Sequence, residues 1–270
     1  MCIALCGFGQ SVPTDAQFER ACIVNPDGFG WAIVGQRNSG MLIYSGKSMT
    51  SSVALAEFKS AMATLGERTV AWSFHARIAT HGQTSLENAH GFQVGSDPMT
   101  WLCHNGMLPV TLAKSEDRSD TNVFATDILP RVLGNTGVAG LDEPGVADVI
   151  EGFVAGSGSK VIVLTANPDA QYPLYIFNED AGHWVDDWWS SNRSYEPYES
   201  TTWSASHELS RYDKFEDLPV ETSECCENLN CSGLVVEFED WCQECNWCQT
   251  CISHVNECLC YDSIGKSRSY

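Results

Sequence analysis

Apolar positions along the first half of the chain change period several times, and each change marks an element. CIALCGF (2–8), GWAIV (30–34) and MLIY (41–44) are short runs rich in strand formers, separated by Gly, Pro and Asn turns; they predict early antiparallel strands. Between the first two runs Thr14 and Gln17 stand at capping-box spacing, and Phe18, Ala21 and Cys22 form the buried stripe of a short helix. A second helix is marked by Leu55, Phe58, Met62 and Leu65 at three- and four-residue steps. Ser51 or Ser52 is expected to cap it and Gly66 to end it.

TVAWSFHARIATHG (69–82) begins with Val70, Trp72 and Phe74 alternating with smaller or polar residues, a strand whose end projects polar side chains from a sheet edge. WLCHNG (101–106) repeats that design. A helix is expected over 121–133, with Phe124, Ile128 and Val132 on one face and Pro130 as a kink or early stop. KVIVLT (160–165), PLYIF (173–177) and HWVDDWW (183–189) predict further strands. Strand runs divided by two or three helices, without regular βαβ alternation, predict an α+β fold. Beyond about Ser190 the periodicity fades, so 1–195 reads as the folded domain and 196–224 as a linker or wrapping segment.

Composition narrows the partners. Thirty-five acidic against 15 basic residues give a formal net charge of −20, which repels phosphate backbones and acidic membranes and argues against nucleic acid as a direct partner. No stretch has the apolar length to span a bilayer, and the start lacks the basic and apolar regions of a secretory signal, so the expected location is the cytoplasm, with no membrane partner. Thirteen cysteines fall in two regimes: Cys2, Cys6, Cys22 and Cys103, and then nine between Cys225 and Cys260. In the tail, 225–270, Cys242, Cys245, Cys248 and Cys251 follow one another at C-x₂-C spacing, which suits zinc thiolates in a reducing compartment.

Candidate chemistry gathers in Cys2, HARIATHG (75–82), HNG (104–106) and RSDTN (118–122). Cys2 is by itself most simply a buried strand residue. If Met1 is trimmed, however, it carries a thiol beside a free α-amine whose ordinary pKa of about 7.7–8.0 suits a general base. Asn105 offers an amide NH₂ and Gly106 an unhindered backbone N–H, the donors a tetrahedral oxyanion needs, although Asn-Gly is also a common turn. An amino-acid substrate needs a cation for its carboxylate and an anion for its ammonium; Arg77 at a strand end and Asp120 before a helix fit these needs. Four histidines, His75, His81, His90 and His104, lie within thirty residues but form no i, i+4 helical pair, which disfavours a metal hydrolase.

Together Cys2, NPDGFGW (25–31), HARIATHGQTSLENAHGF (75–92), CHNGML (103–108) and SDTN (119–122) resemble, in order and rough separation, the class II glutamine amidotransferases of the N-terminal nucleophile hydrolase superfamily. NPDGFGWA and SNRSY (191–195) are most similar to short stand-alone forms from phage and bacterial genomes. The resemblance implies a four-layer αββα sandwich of two antiparallel sheets. It implies Cys2 as nucleophile with its amine as base, Asn105 and Gly106 as oxyanion hole, and Arg77 on the glutamine carboxylate with Thr80 and the backbone near His81. Asp120 is then left to hold the ammonium.

The expected activity is release of ammonia from L-glutamine through a γ-glutamyl thioester, with no cofactor for that half-reaction and a separate synthase or ligase as acceptor; in a phage-encoded chain it takes place in the host cytoplasm. The alternative is a non-catalytic interaction module presenting a zinc-bound tail. The chain departs from the family in having Val24-Asn25 where many relatives have Arg-Gly, Asn122 where many have Glu, and Gly91 where Pro is frequent.

Overall fold

The alternation in CIALCGF becomes β1 (Ile3–Phe8), at the centre of a six-stranded sheet in a computed structural model of the chain. The structure describes residues 2–79, 82–112 and 116–196, together with the backbone of 247–248 and 253–254. By internal contacts the chain divides into two units, Met1–Pro197 and Tyr198–Tyr270.

In the first unit β1 is joined by β2 (Phe29–Arg37), β3 (Gly40–Ser48), β4 (Thr69–Ala76), β9 (His183–Val185) and β10 (Trp188–Ser190), in the order β3-β2-β4-β1-β10-β9. A second sheet has the order β5-β6-β7-β8, from β5 (Phe92–Val94), β6 (Asp97–Asn105), β7 (Lys160–Thr165) and β8 (Leu174–Phe177). Every pairing is antiparallel. With the helices, this gives the expected α+β class.

Period-2 alternation decides what each face of a strand buries. Ile3, Leu5, Trp31, Ile33, Trp72 and Phe74 pack on Phe18 of α1 (Asp15–Val24) and on Phe58 and Met62 of α2 (Ser51–Leu65). The opposite face of the same strands carries Ala4, Cys6, Ala32, Val34 and Ala71, which meet Cys103, Ile162 and Leu164 of the second sheet. Small residues there let the sheets approach closely. Leu102, Val161 and Val163 turn the other way and pack on Phe124, on Leu129 and Leu133 of α4 (Leu129–Leu133), and on Ile150 and Val154 of α5 (Pro144–Ala155). Each fully buried Leu, Ile or Phe contributes about 1.5–3 kcal/mol relative to exposure.

The helix starts differ in an instructive way. Thr14 caps α1 as expected, with both hydrogen bonds of the capping box formed. The N-cap of α2 is Thr50 rather than Ser51 or Ser52, and its side chain makes no capping bond. The helix expected over 121–133 is three pieces: α3 (Asp120–Val123), a π-helical turn Phe124–Ile128, and α4. Pro130 has no N–H and its ring presses on the preceding turn, so the ladder widens there instead of continuing. The wider turn buries Phe124, Ala125, Leu129 and Leu133, leaving Ile128 and Val132 only partly covered. Helix α5 has no counterpart in the sequence reading: its glycines and β-branched residues are weak helix formers, and burial of Ile150 and Val154 holds it.

After β10 the chain continues to wrap on the domain. Tyr195 is buried with its ring 5.0 Å from that of Trp188. In the second unit β11 (Trp247–Cys248) pairs antiparallel with β12 (Ser253–His254). The expected linker, 196–224, lies beyond the described residues from 197 onward, and so do the side chains of Cys242, Cys245, Cys248 and Cys251, where zinc was expected.

Candidate active site

Antiparallel pairing places the start of one strand beside the end of its neighbour. Ile3 is opposite Ala76, so Cys2, just before β1, meets Arg77, just after β4. β6 of the facing sheet ends at Asn105, and Gly106 turns the chain away. Asp120 opens α3 behind its N-cap Ser119, which accepts a hydrogen bond from Asn122 N. Asp120 is thus the first helical residue rather than the residue before the helix. Around one small cavity the structure brings together Cys2, Arg77, Gly106 and Asp120, with His104 and Thr121. The cavity is about 10 Å3, room for about one water.

Cys2 is 9% exposed. Its Sγ donates to Ile78 O and receives Ile78 N–H, both at 3.2 Å. Burial pushes the thiol pKa up, against the opposing pull of the Ile78 N–H and the Arg77 charge. A thiol so placed is protonated near neutrality and needs a base to become a nucleophile. Asn192 Nδ2 donates to the Cys2 carbonyl at 2.7 Å.

Arg77 is 2% exposed, and its Nη1 donates to Gln83 O at 3.1 Å. Cys2, Asp27 and Asp120 all lie close enough for their charges to act on it. The NPDG turn clasps its backbone: Asp27 N donates to Arg77 O and Arg77 N to Gly28 O, each at 2.8 Å, and Asp27 Oδ2 accepts from Ala79 N at 2.9 Å. The Asp120 carboxylate is held by Leu108 N at 2.9 Å and by Thr121 N at 2.7 Å, so its orientation is fixed. A cation and an anion flanking a thiol suit a zwitterionic substrate.

Asn105 Nδ2 donates to Ser191 Oγ at 2.7 Å, whereas its buried Oδ1 has no partner among the described residues. The NH₂ that the sequence reading assigned to an oxyanion is therefore engaged with a hydroxyl from the end of β10. Gly106 has φ +135, and a Cβ there would lie 2.5 Å from Ser159 Oγ, so conformation and space both require glycine.

Three histidines are packed beneath. His75 Nε2 donates to His104 O at 2.9 Å, and His75 stacks on His90 at 4.0 Å. His104 Nδ1 lies 2.9 Å from Thr121 Oγ1, which links it to the residue after Asp120. Burial drives all three downward, His75 to about 3, His104 to about 4 and His90 well below its ordinary value, so they are neutral at physiological pH. Among the described residues no group of three or more His, Cys, Asp and Glu side chains is placed to hold a metal ion.

Thr80 and His81 lie outside the described residues. The sequence reading gave no role to Ser191 and Asn192. The signal was present in WWSSN, a strand end that turns polar in the same manner as HARIATHG and WLCHNG. Asn25 closes α1: it is fully buried and its Nδ2 donates to Ala21 O at 2.7 Å.

A scan against protein-family models finds no match, and neither does a search of curated proteins. Among solved structures the chain is similar to glutamine phosphoribosylpyrophosphate (PRPP) amidotransferase from B. subtilis complexed with ADP and GMP, at 13% identity and TM-score 0.37, over 70% of this chain and 41% of that one. It is likewise similar to a structure described as the allosteric regulatory enzyme of purine biosynthesis, at 13% identity and TM-score 0.38, over 70% and 41%. The chain thus spans less than half the length of each of these neighbours.

Proposed function

We propose that the first unit is a class II glutamine amidotransferase domain of the N-terminal nucleophile hydrolase superfamily, releasing ammonia from L-glutamine for a separate acceptor enzyme. The observation that carries this reading is the convergence of Cys2, Arg77, Gly106 and Asp120 on one cavity from β1, β4, β6 and α3. The packing of helices, sheet, sheet and helices through three apolar clusters agrees with the αββα sandwich of that superfamily.

In the proposed reaction Met1 is removed and the freed α-amine of Cys2 takes the thiol proton. The sulfur attacks the glutamine amide carbon, and the oxyanion is met by Asn105 and the Gly106 N–H. Collapse breaks the C–N bond, the amine returns its proton to the leaving ammonia, and a γ-glutamyl thioester remains. Water, deprotonated by the same amine, then releases glutamate and the thiol. Arg77 pairs with the substrate carboxylate and Asp120 with its ammonium. The cavity is smaller than glutamine, so substrate entry requires it to widen, and attack requires Cys2 Sγ to give up its donation to Ile78 O.

Intact-mass measurement after exposure to a glutamine-like chloromethyl ketone tests this. The expected result is a chain lacking Met1 and carrying one adduct, absent in Cys2→Ala. A chain that keeps Met1 and takes no adduct sinks the mechanism.

A further inference from the structure

We propose that Ser191 is a positioning residue, whose hydroxyl turns the Asn105 amide so that its NH₂ faces the reacting oxygen; the inference rests on the amide-hydrolysis reading above. Ser191 Oγ accepts from Ala4 N at 2.9 Å and lies 2.7 Å from Asn105 Nδ2. A hydroxyl has two lone pairs and one proton. With both neighbours donating, its lone pairs are filled, and Asn105 Oδ1 stays buried without a partner among the described residues.

A half-turn of the amide about its Cβ–Cγ bond exchanges the two ends. Oδ1 then accepts the Ser191 O–H, Ala4 N–H keeps its lone pair on the same oxygen, and no buried acceptor is left unpaired. The NH₂ moves to the place Oδ1 held, on the residue next to Gly106, with its donors unspent. A preorganised donor that finds its acceptor only as charge develops is the arrangement that lowers a barrier without tightening substrate binding.

Ser191 is itself firmly held. Its N–H donates to Ala4 O at 2.9 Å, so a reciprocal pair ties it to β1 two residues after the nucleophile. Asn192, next along, donates to the Cys2 carbonyl. The end of β10 thereby sets the spacing between the thiol in one sheet and the amide in the other.

The test is a double-mutant cycle on glutamine hydrolysis with Ser191→Ala, Asn105→Ala and the combination. Asn105→Ala is expected to lower kcat about 100–1000-fold. Ser191→Ala is expected to lower kcat about 10–100-fold with KM within about threefold, while adding nothing in the Asn105→Ala background. Equal losses in both backgrounds, or wild-type kcat in Ser191→Ala, overturn the inference, because the hydroxyl then acts through β1 or not at all. If Ser191→Ala does not fold, Ser191→Cys keeps the volume with a weak donor, and about a tenfold loss of kcat is expected; wild-type kcat there overturns the inference equally. Labelling of Cys2 by the chloromethyl ketone separates the two levels. A wild-type chain that takes no label and releases no ammonia removes the hydrolysis reading together with this inference, whereas a labelled, active wild type with an additive cycle removes the inference alone.

Discussion

At the scale of single residues, Gly106 offers the sharpest test, because two independent constraints coincide there. Its φ of +135 is costly for an L side chain, and a Cβ would stand 2.5 Å from Ser159 Oγ and 2.8 Å from Ser159 Cα, a backbone atom that cannot swing aside. Gly106→Ala is therefore expected to lose about 2–4 kcal/mol in urea unfolding, combining backbone strain with overpacking. Gly66→Ala, at φ +55 with no atom near the new methyl, isolates the conformational part and should lose about 1 kcal/mol. Equal losses would mean that the Ser159 contact costs nothing. Glycine at 106 was legible from its place in an Asn-Gly pair at the end of a strand. Of Ser191, the polar strand end was legible but not the partner, because Asn105 lies 86 positions away and no local spacing records that pairing.

Elements were legible where the local pattern and the tertiary environment agree. Phe18, Ala21 and Cys22 mark α1 in sequence and are its buried residues in space. The 121–133 stretch was read as one helix with Pro130 as a kink or early stop; the break instead takes the form of a wide turn over Phe124–Ile128, because periodicity counts side chains and not backbone donors. Capping shows the same division. Thr14 and Thr50 are both N-caps, yet Thr14 Oγ1 accepts from Gln17 N at 3.3 Å while Gln17 Oε1 accepts from Thr14 N at 2.8 Å, and Thr50 has no such bond. Thr14→Ala is expected to lower stability by about 1 kcal/mol. Thr50→Ala should change it by less than about 0.5 kcal/mol, the range of a surface substitution without a specific partner. Urea midpoints of the two variants against wild type decide it, and equal midpoints would remove the distinction.

For the whole molecule, the histidines packed beneath the cavity make acid the controlling variable. The two sheets meet through small residues such as Ala4 and Ala71, and at the cavity end this contact gives way to His75, His90 and His104. An unfolded chain holds histidine near its ordinary pKa of about 6.5. In the folded chain burial holds His75 at about 3, His104 at about 4 and His90 well below normal. Above about pH 6.5 neither state binds these protons, and the histidines leave stability unchanged. As pH falls below that value the unfolded state takes up protons that the folded state refuses, so stability is lost down to the folded pKa values. One such proton costs about 1.4 kcal/mol per pH unit, and three together approach about 4. Against the 5–15 kcal/mol typical of a domain, that slope makes acid strongly destabilising below about pH 6. Thiols act on the other side: burial lifts Cys22 and Cys103 to about 12 and Cys6 well above normal, so they leave stability unchanged below about pH 8.5 and cost it as pH rises past that value, where only the unfolded thiols ionise. Urea unfolding across pH 4.5 to 10 should therefore show a plateau between about 6.5 and 8.5, with an acid limb and an alkaline limb of similar steepness, because three groups act on each side. An acid limb with the slope of a single proton would show that water reaches two of the three histidines, and with it that the cavity above them opens far wider than the closed geometry around Cys2.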